Sequence, residues 1–425
     1  MKRIILRTTS CLTLALAIPA TTSAQTRRGN DIAEAKRALS SAYSDLKRSY
    51  YDPDLHGLNL DSIYAIARDE LDNARTTQQR YRAIARFMEA FDDSHTGFIA
   101  PWRVALGDYH FGLHFYGDKP FITHVDPDSH AERVGLRRGD EIVRFAGFEL
   151  TRANYYHVLL EFLSADSIQP LPLTVRGPDG SLSELRLAAD TMEILRMKGS
   201  EFRKLLSTST DSSEVATSHV QVSIADSVFV WRFPRFAHVD RGLDDVAERA
   251  RKHRVIIIDL RGNHGGSVET LTKALGYFVD KELIVGDLRT RISKETYTAK
   301  PKKKHVGGRI FILIDSETAS AAEMFTRLLQ LQGKATVIGD RSAGKVMASQ
   351  YFPADDYMGA QITVSDVVLY NGERLEKVGV TPDILAVEEP RHLVAGGDPV
   401  LALALLRAGV RVSPAIAGRI LPMIN

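Results

Sequence analysis

The chain has 425 residues, 44% of them apolar, enough for two or three domains with large buried cores. Its 55 basic and 53 acidic residues leave a net charge of +2, so charge gives no footprint for nucleic acid. The basic run P-K-K-K at 301–304 reads as an exposed loop.

Residues 1–24 have the layout of a targeting segment. Lys2, Arg3 and Arg7 form a positive end, residues 11–21 are a short, largely apolar stretch, and T-S-A at 22–24 offers small residues for cleavage before Gln25. No later apolar run reaches the ~18 residues of a membrane span. Cys11 is the only cysteine and would leave with this segment, so the mature chain is expected to hold neither thiol nor disulfide. Export without cysteines fits a bacterial envelope protein, periplasmic or extracellular, better than a disulfide-stapled one.

Residues 25–103 read as a helical cap. Apolar spacing predicts helices over 33–50, 60–73 and 78–91, with breaks at Pro53, Gly57 and Thr76-Thr77, and the cap ends in Ser94-His95. From 104 to 192 the texture changes to short strands and glycine turns. F-G-L-H-F (111–115) and F-I-T-H-V (121–125) precede A-E-R-V-G-L-R-R-G-D-E-I-V-R-F-A-G (131–147), a helical stretch at 153–163 and L-P-L-T-V-R at 171–176. This part resembles a PDZ domain, most specifically in its Gly-Leu-x-x-Gly-Asp-x-Ile segment. The resemblance implies that a separate Gly-Leu loop, here Phe111, Gly112, Leu113, His114 and Phe115, holds the terminal carboxylate of a peptide that adds a strand to the sheet edge.

The next unit spans 193–395, and from 217 onwards strands alternate with helices around 241–252, 268–279 and 320–332. That alternation predicts an α/β core with a mostly parallel central sheet. Residues 396–425 complete the chain as a helix and tail.

Two segments of this core carry candidate chemistry. Ser320 stands in I-D-S-E-T-A-S-A-A-E (314–323), between a predicted strand and a predicted helix. A serine at a helix mouth lies near unpaired backbone N–H groups and the positive end of the dipole, which favours an alkoxide or oxyanion. The same S-A-A-E is also a capping box, with Glu323 returning the bond, and spacing alone leaves both readings open. Lys345 ends V-I-G-D-R-S-A-G-K (337–345) and could take the serine's proton if its pKa were lowered.

T-A-S-A-A-E followed by G-D-R-S-A-G-K, with the lysine 25 positions after the serine, resembles the C-terminal processing (tail-specific) serine peptidase family. Three more stretches agree in order: D-D-S-H-T-G (92–97), V-I-I-I-D-L-R-G-N-H-G-G (255–266) and L-E-K-V-G-V-T-P-D (375–383). The resemblance implies a ClpP/crotonase-like core and a serine endopeptidase that needs no metal and no ATP. Ser320 would be its nucleophile, and backbone N–H groups of Ala321 and of Gly265 or Gly266 its oxyanion donors. Its partners would be protein or peptide substrates met through their C-termini, and a homo-oligomer is left open.

The base has two candidates. In one branch of the family it is the lysine, here Lys345, and that is the expectation for this chain. The branch often has a glutamine four positions later, where this chain has Ser349, with Gln350 one position beyond and Val346 in place of a glycine. The other branch, similar to the tricorn core protease, uses a Ser-His pair with a distant glutamate, matched by Ser94, His95 and Glu376. A histidine needs almost no tuning to act near neutrality.

Other chemistries fit poorly. Gly339-x4-Gly344-Lys345 mimics a phosphate loop, but Val346 stands where a Ser or Thr would hold Mg²⁺, so no nucleotide is expected. His110 and His114 are four apart on a predicted strand, and the pattern suggests no acidic third ligand, so no metal is expected either. The rival from another class is a non-catalytic envelope scaffold that binds C-termini through the PDZ-like part.

Overall fold

The computed structural model describes residues 11–16, 24–99, 105–155, 158, 162, 169–192, 219–224, 227–237, 242–356 and 358–421. Three helices open the chain: Ala24–Ser49, Leu60–Asn73 and Thr77–Glu89. The first starts earlier than its apolar spacing predicts. The second and third begin at side-chain caps, with Asn59 accepting from Ser62 N–H at 2.9 Å and Thr76 from Gln79 N–H at 3.2 Å. Leu39, Leu46, Ile84, Phe87 and Phe91 form a shared core with Ala360 and Ile362, so the helices are packed on a strand far along the chain.

The second unit is an eight-stranded sheet in which every pairing is antiparallel. Its longest strand, Ala105–Tyr116, pairs with Lys119–Val125 through a turn at Gly117. The loop expected at 111–115 is part of this strand. Tyr109, Phe111, Leu113 and Phe115 alternate into the core, a period-two pattern that a strand satisfies and a free loop wastes. Gly139, at φ +91°, turns the chain into strand Glu141–Phe145. Cys11–Leu16, in the apolar part of the expected targeting segment, lies antiparallel to Ala105–Tyr116. Of the helix expected over 153–163, Ala153 and Asn154 lie in a turn, and Tyr155, Val158 and Phe162 are the other described residues.

The third unit holds two sheets. The first is six-stranded, in the order Val220–Ile224, Val228–Arg232, Val255–Asp259, Arg309–Ile314, Ala335–Gly339, Ile384–Leu385; its first pairing is antiparallel and the other four are parallel. Its inner strands are apolar on both faces because both are covered. Phe229, Trp231, Ile256 and Ile258 pack with the helices Leu243–Ala250, Val268–Leu275 and Ala321–Leu331. Val228, Val230, Ile257 and Phe311 face the other way, against Leu401 and Leu405 of Pro399–Arg407. The second sheet, which alternation of elements did not reveal, is antiparallel: Lys294–Ala299, Leu283–Thr290, Gly359–Leu369, Met347–Pro353, with Gly97–Ile99 on its edge.

A buried charge network pins the late helix. Asp259 is fully buried, and although burial opposes it, Arg261 and Arg232 hold its pKa well below the usual carboxylate range. Arg261 in turn grips Asp398 with two bonds of 2.9 and 2.7 Å, and Asp398 caps Leu401 N–H. Leu401→Ala, which empties a site with no exposure, is therefore expected to cost about 2–5 kcal/mol in urea unfolding. A wild-type midpoint and slope would show that this helix is not part of the core.

Candidate active site

Ser320 sits where Arg309–Ile314, buried from Ile310 onwards, turns into helix Ala321–Leu331. The turn between them is built by Asp315, whose carboxylate accepts from the N–H groups of Gly262, Glu317 and Thr318. Ser320 itself is held at φ 56°, ψ −122°. A non-glycine residue with that backbone costs on the order of 1–3 kcal/mol and persists only where the surroundings enforce it. A strained serine on a sharp strand-to-helix turn is the geometry of a nucleophile elbow.

The glycine loop presses on this turn. Ala319 N–H donates to Asn263 O at 2.9 Å. A Cβ on Gly265 would stand 2.7 Å from Ser320 Cβ and 2.8 Å from Ala321 N, and one on Gly266 would stand 2.1 Å from Phe236 O, so neither position admits a side chain. Gly265 N–H donates to Asn263 Oδ1 at 2.8 Å. That bond removes Gly265 as an oxyanion donor, and its role in the geometry is the close approach.

Glu323 ties the loop of Ser320 to the loop of Lys345. Its side chain is fully buried; Oε2 accepts from Ser320 N–H (3.0 Å) and Lys345 N–H (2.9 Å), and Oε1 from Gly344 N–H (2.8 Å) and Ser342 Oγ (2.5 Å). Burial pushes its pKa up, but all four partners donate, which only an ionised carboxylate can satisfy. The capping-box partner visible in the sequence is thus also the link to Lys345.

Glu376 makes the second link. Its Oε2 accepts from Val346 N–H and from Ser94 Oγ, both at 2.9 Å, and its Oε1 from Ser94 N–H at 2.9 Å. Since the Ser94 hydroxyl donates to Glu376, it must accept from His95 Nδ1, 2.6 Å away. That fixes the Nδ1–H tautomer and leaves Nε2 with its lone pair. Burial lowers the pKa of His95, opposed by Glu376 and Asp93 and reinforced by the nearby charge of Lys345. The 93–96 turn is held by Asp93, which accepts from His95 N–H, Thr96 N–H, Thr363 Oγ1 and Tyr50 Oη.

Lys345 is exposed on the loop before strand Met347–Pro353. Gln350 is exposed too, on strand Met347–Pro353. The pairing of that strand is bulged, but the extra residue is Val364 on the partner strand, so the offset between Ser349 and Gln350 stands.

The 111–115 strand reaches residues 315–317 just before Ser320, which the sequence did not suggest. His114 lies 3.5 Å from Asp315 and 3.3 Å from Glu317, and Phe115 O accepts from Ser316 Oγ. Burial works against charging His114, yet Glu317 and Asp315 raise its pKa to about 9. The raised value means that its contribution is complete below about 6.5 and is lost as pH rises through about 9. Gly117 N–H donates to Asp340, and Arg152 to the carbonyls of Arg341 and Ser342, so the β-rich unit touches the lysine loop as well.

Residues 228–386 match the family described as Peptidase family S41. The carboxy-terminal processing protease CtpB of Bacillus subtilis is 24% identical over 386 residues, covering 89% of this chain and 72% of that one. The carboxyl-terminal-processing protease of a Picosynechococcus strain is 28% identical over 332 residues, 74% of this chain and 75% of the relative. Among solved structures, mature CPAF complexed with lactacystin superposes with a TM-score of 0.64 at 15% identity (85% and 96% of the two chains). The photosystem II D1 C-terminal processing protease does so with 0.54 at 17% (91% and 99%). The fold is that of the S41 proteases, mixing sheets and helices. The chain is a serine-type peptidase with a peptidase family S41 match over residues 228–386, similar to the carboxy-terminal processing proteases.

Glu323→Gln puts an NH₂ group against two of the four donors. It is expected to lower kcat by about 100-fold or more and to cost roughly 2–6 kcal/mol for two unsatisfied buried groups. Steady-state kinetics beside urea unfolding checks this; unchanged kcat would separate Glu323 from the alignment of the site.

Proposed function

We propose that this chain is an exported endopeptidase in which Ser320 attacks the scissile carbonyl and His95, oriented by Ser94 and Glu376, accepts the serine proton. The observation that carries this reading is the strained Ser320 at the helix mouth, jammed by Gly265 and linked through Glu323 to the loop of Lys345. The tetrahedral oxyanion would meet the N–H groups of Ala321 and Gly266. His95 then returns the proton to the leaving amine, and water repeats the sequence on the acyl-enzyme. The hydrogen-bonded Ser94–Glu376 relay favours His95 over Lys345 as base, and the positive charge of Lys345 helps keep His95 neutral. A lysine base remains the second reading, because Glu323 anchors Lys345 N–H on the same oxygen as Ser320 N–H.

Ser320→Ala should abolish cleavage at a stability cost of about 1 kcal/mol. With His95 as base, kcat/KM should rise through a midpoint below 6.5 and level off by neutrality, because the imidazole must be neutral and its pKa is lowered. His95→Ala should then lose about 10²–10⁴ in rate, while Lys345→Ala keeps substantial activity. A profile still climbing above pH 9, with Lys345→Ala dead and His95→Ala active, would transfer the role to the lysine.

Residues 104–192 act in this reading as a PDZ-like module inserted between the helical cap and a ClpP/crotonase-like core, and they read substrate C-termini. Strand addition along the edge that holds Phe111, Gly112 and Leu113 is supported by the apolar segment Cys11–Leu16, which already lies along it with Cys11 opposite Gly112. The contacts of His114 and Phe115 with 315–317 would carry such binding to the nucleophile loop. Free-acid peptides should bind more tightly than amidated ones, since the carboxylate meets backbone donors. Equal KM for the two forms would remove this module as the reader.

A further inference from the structure

His110 is not paired with His114, four positions on, but with acidic groups from three separate stretches of chain. It stands at φ +60° in Ala105–Tyr116. Its Nδ1 is 3.0 Å from Asp126 Oδ2 and 3.8 Å from Asp108 Oδ2, and the ligand atoms of these three residues all lie within 4.8 Å of one another. Around a tetrahedral ion with bonds of about 2.0–2.2 Å, ligand atoms sit roughly 3.3–3.5 Å apart. Small side-chain movements would bring the three to that spacing.

The atoms of each residue that do not converge are already held. His110 N–H donates to Asp108 Oδ1 at 2.8 Å, His124 Nε2 is 2.7 Å from Asp126 Oδ1, and His110 Nε2 is 2.9 Å from Asp190 Oδ2. An imidazole whose far nitrogen rests on a carboxylate is the usual support of a metal-bound histidine, since it fixes the tautomer and raises ligand basicity. Asp108 Oδ2, His110 Nδ1 and Asp126 Oδ2 are the atoms that this arrangement leaves converging.

We infer that Asp108, His110 and Asp126 form a binding site for a divalent transition-metal ion, best matched by Zn²⁺, with Asp190 and His124 as its supporting residues. One imidazole and two carboxylates suit Zn²⁺, with water completing the coordination. Ca²⁺ is a poor match, because it takes six to eight oxygens. The ion would fasten the first strand of the β-rich unit to the loop after Lys119–Val125. Through Asp190 the site also reaches Asp190–Met192, whose Asp190 lies opposite Asp108 in the sheet. It lies on that unit's own sheet, outside the serine site, and calls for no role in hydrolysis.

The test is titration of the chelator-stripped full chain with Zn²⁺ by calorimetry, beside thermal unfolding. Wild type should take up one tight equivalent and melt at a higher temperature with Zn²⁺. His110→Ala and the size-matched Asp108→Asn should lose that equivalent while keeping the wild-type circular dichroism. Asp190→Asn should bind about 10–100-fold more weakly, as for a residue that only supports a ligand. His305→Ala, which alters an exposed histidine beside Asp280, should bind as wild type. The inference is overturned if wild type binds no tight equivalent, if His110→Ala retains it, or if Ca²⁺ binds more tightly than Zn²⁺.

Discussion

The active-site region depends on one buried carboxylate. Glu323 has no exposure and accepts four hydrogen bonds, three from backbone N–H groups on two different loops. A buried charge with fewer donors would shift to its neutral form or destabilise the fold. The cost of burying it is offset only while Ser320, Ser342, Gly344 and Lys345 stay where they are. The strained backbone of Ser320 is therefore held by electrostatics as well as by packing.

The same logic recurs at two other carboxylates. Glu376 joins the 93–96 turn of the helical cap to the strand after Lys345, so His95 and Lys345, from different units, share one bonded frame. Asp315 organises the turn before Ser320 and also faces His114 of the β-rich unit. Each loop is thus positioned by an acidic side chain that accepts from backbone donors of another segment. A loop fixed in this way has few alternative positions, which suits a site whose geometry must precede substrate binding.

Docking of the β-rich unit through His114, Ser316, Arg152 and Asp340 gives that unit contact with both loops of the site. These contacts are charged or polar. The arrangement links the β-rich unit and the loops around Ser320 and Lys345 in one set of bonded groups. With both surfaces of the six-stranded sheet already covered by helices, the loops at its strand ends are what remain to build a site.

Much of this protein was legible from residues alone. Period and punctuation marked the helical cap, the strand-rich middle and the alternating core, because local apolar spacing is a direct consequence of helix and strand geometry. Ser320, His95, Glu376 and the Gly265-Gly266 pair were visible as motif positions in order. What only the tertiary structure decided concerns partners distant in sequence. F-G-L-H-F became a strand because its alternation found a core, and the second core sheet joins two hairpins through the distant pairing of Leu283–Thr290 with Gly359–Leu369, which no local pattern reports. Gly265 proved to be spacer rather than donor because Asn263 takes its N–H. Besides Asp108 on its own strand, the acidic neighbours of His110 are Asp126 and Asp190 from other segments, which positions along the strand do not report. Local sequence dictates which element forms and which residues can react. The long-range bonds of buried carboxylates determine which of them meet.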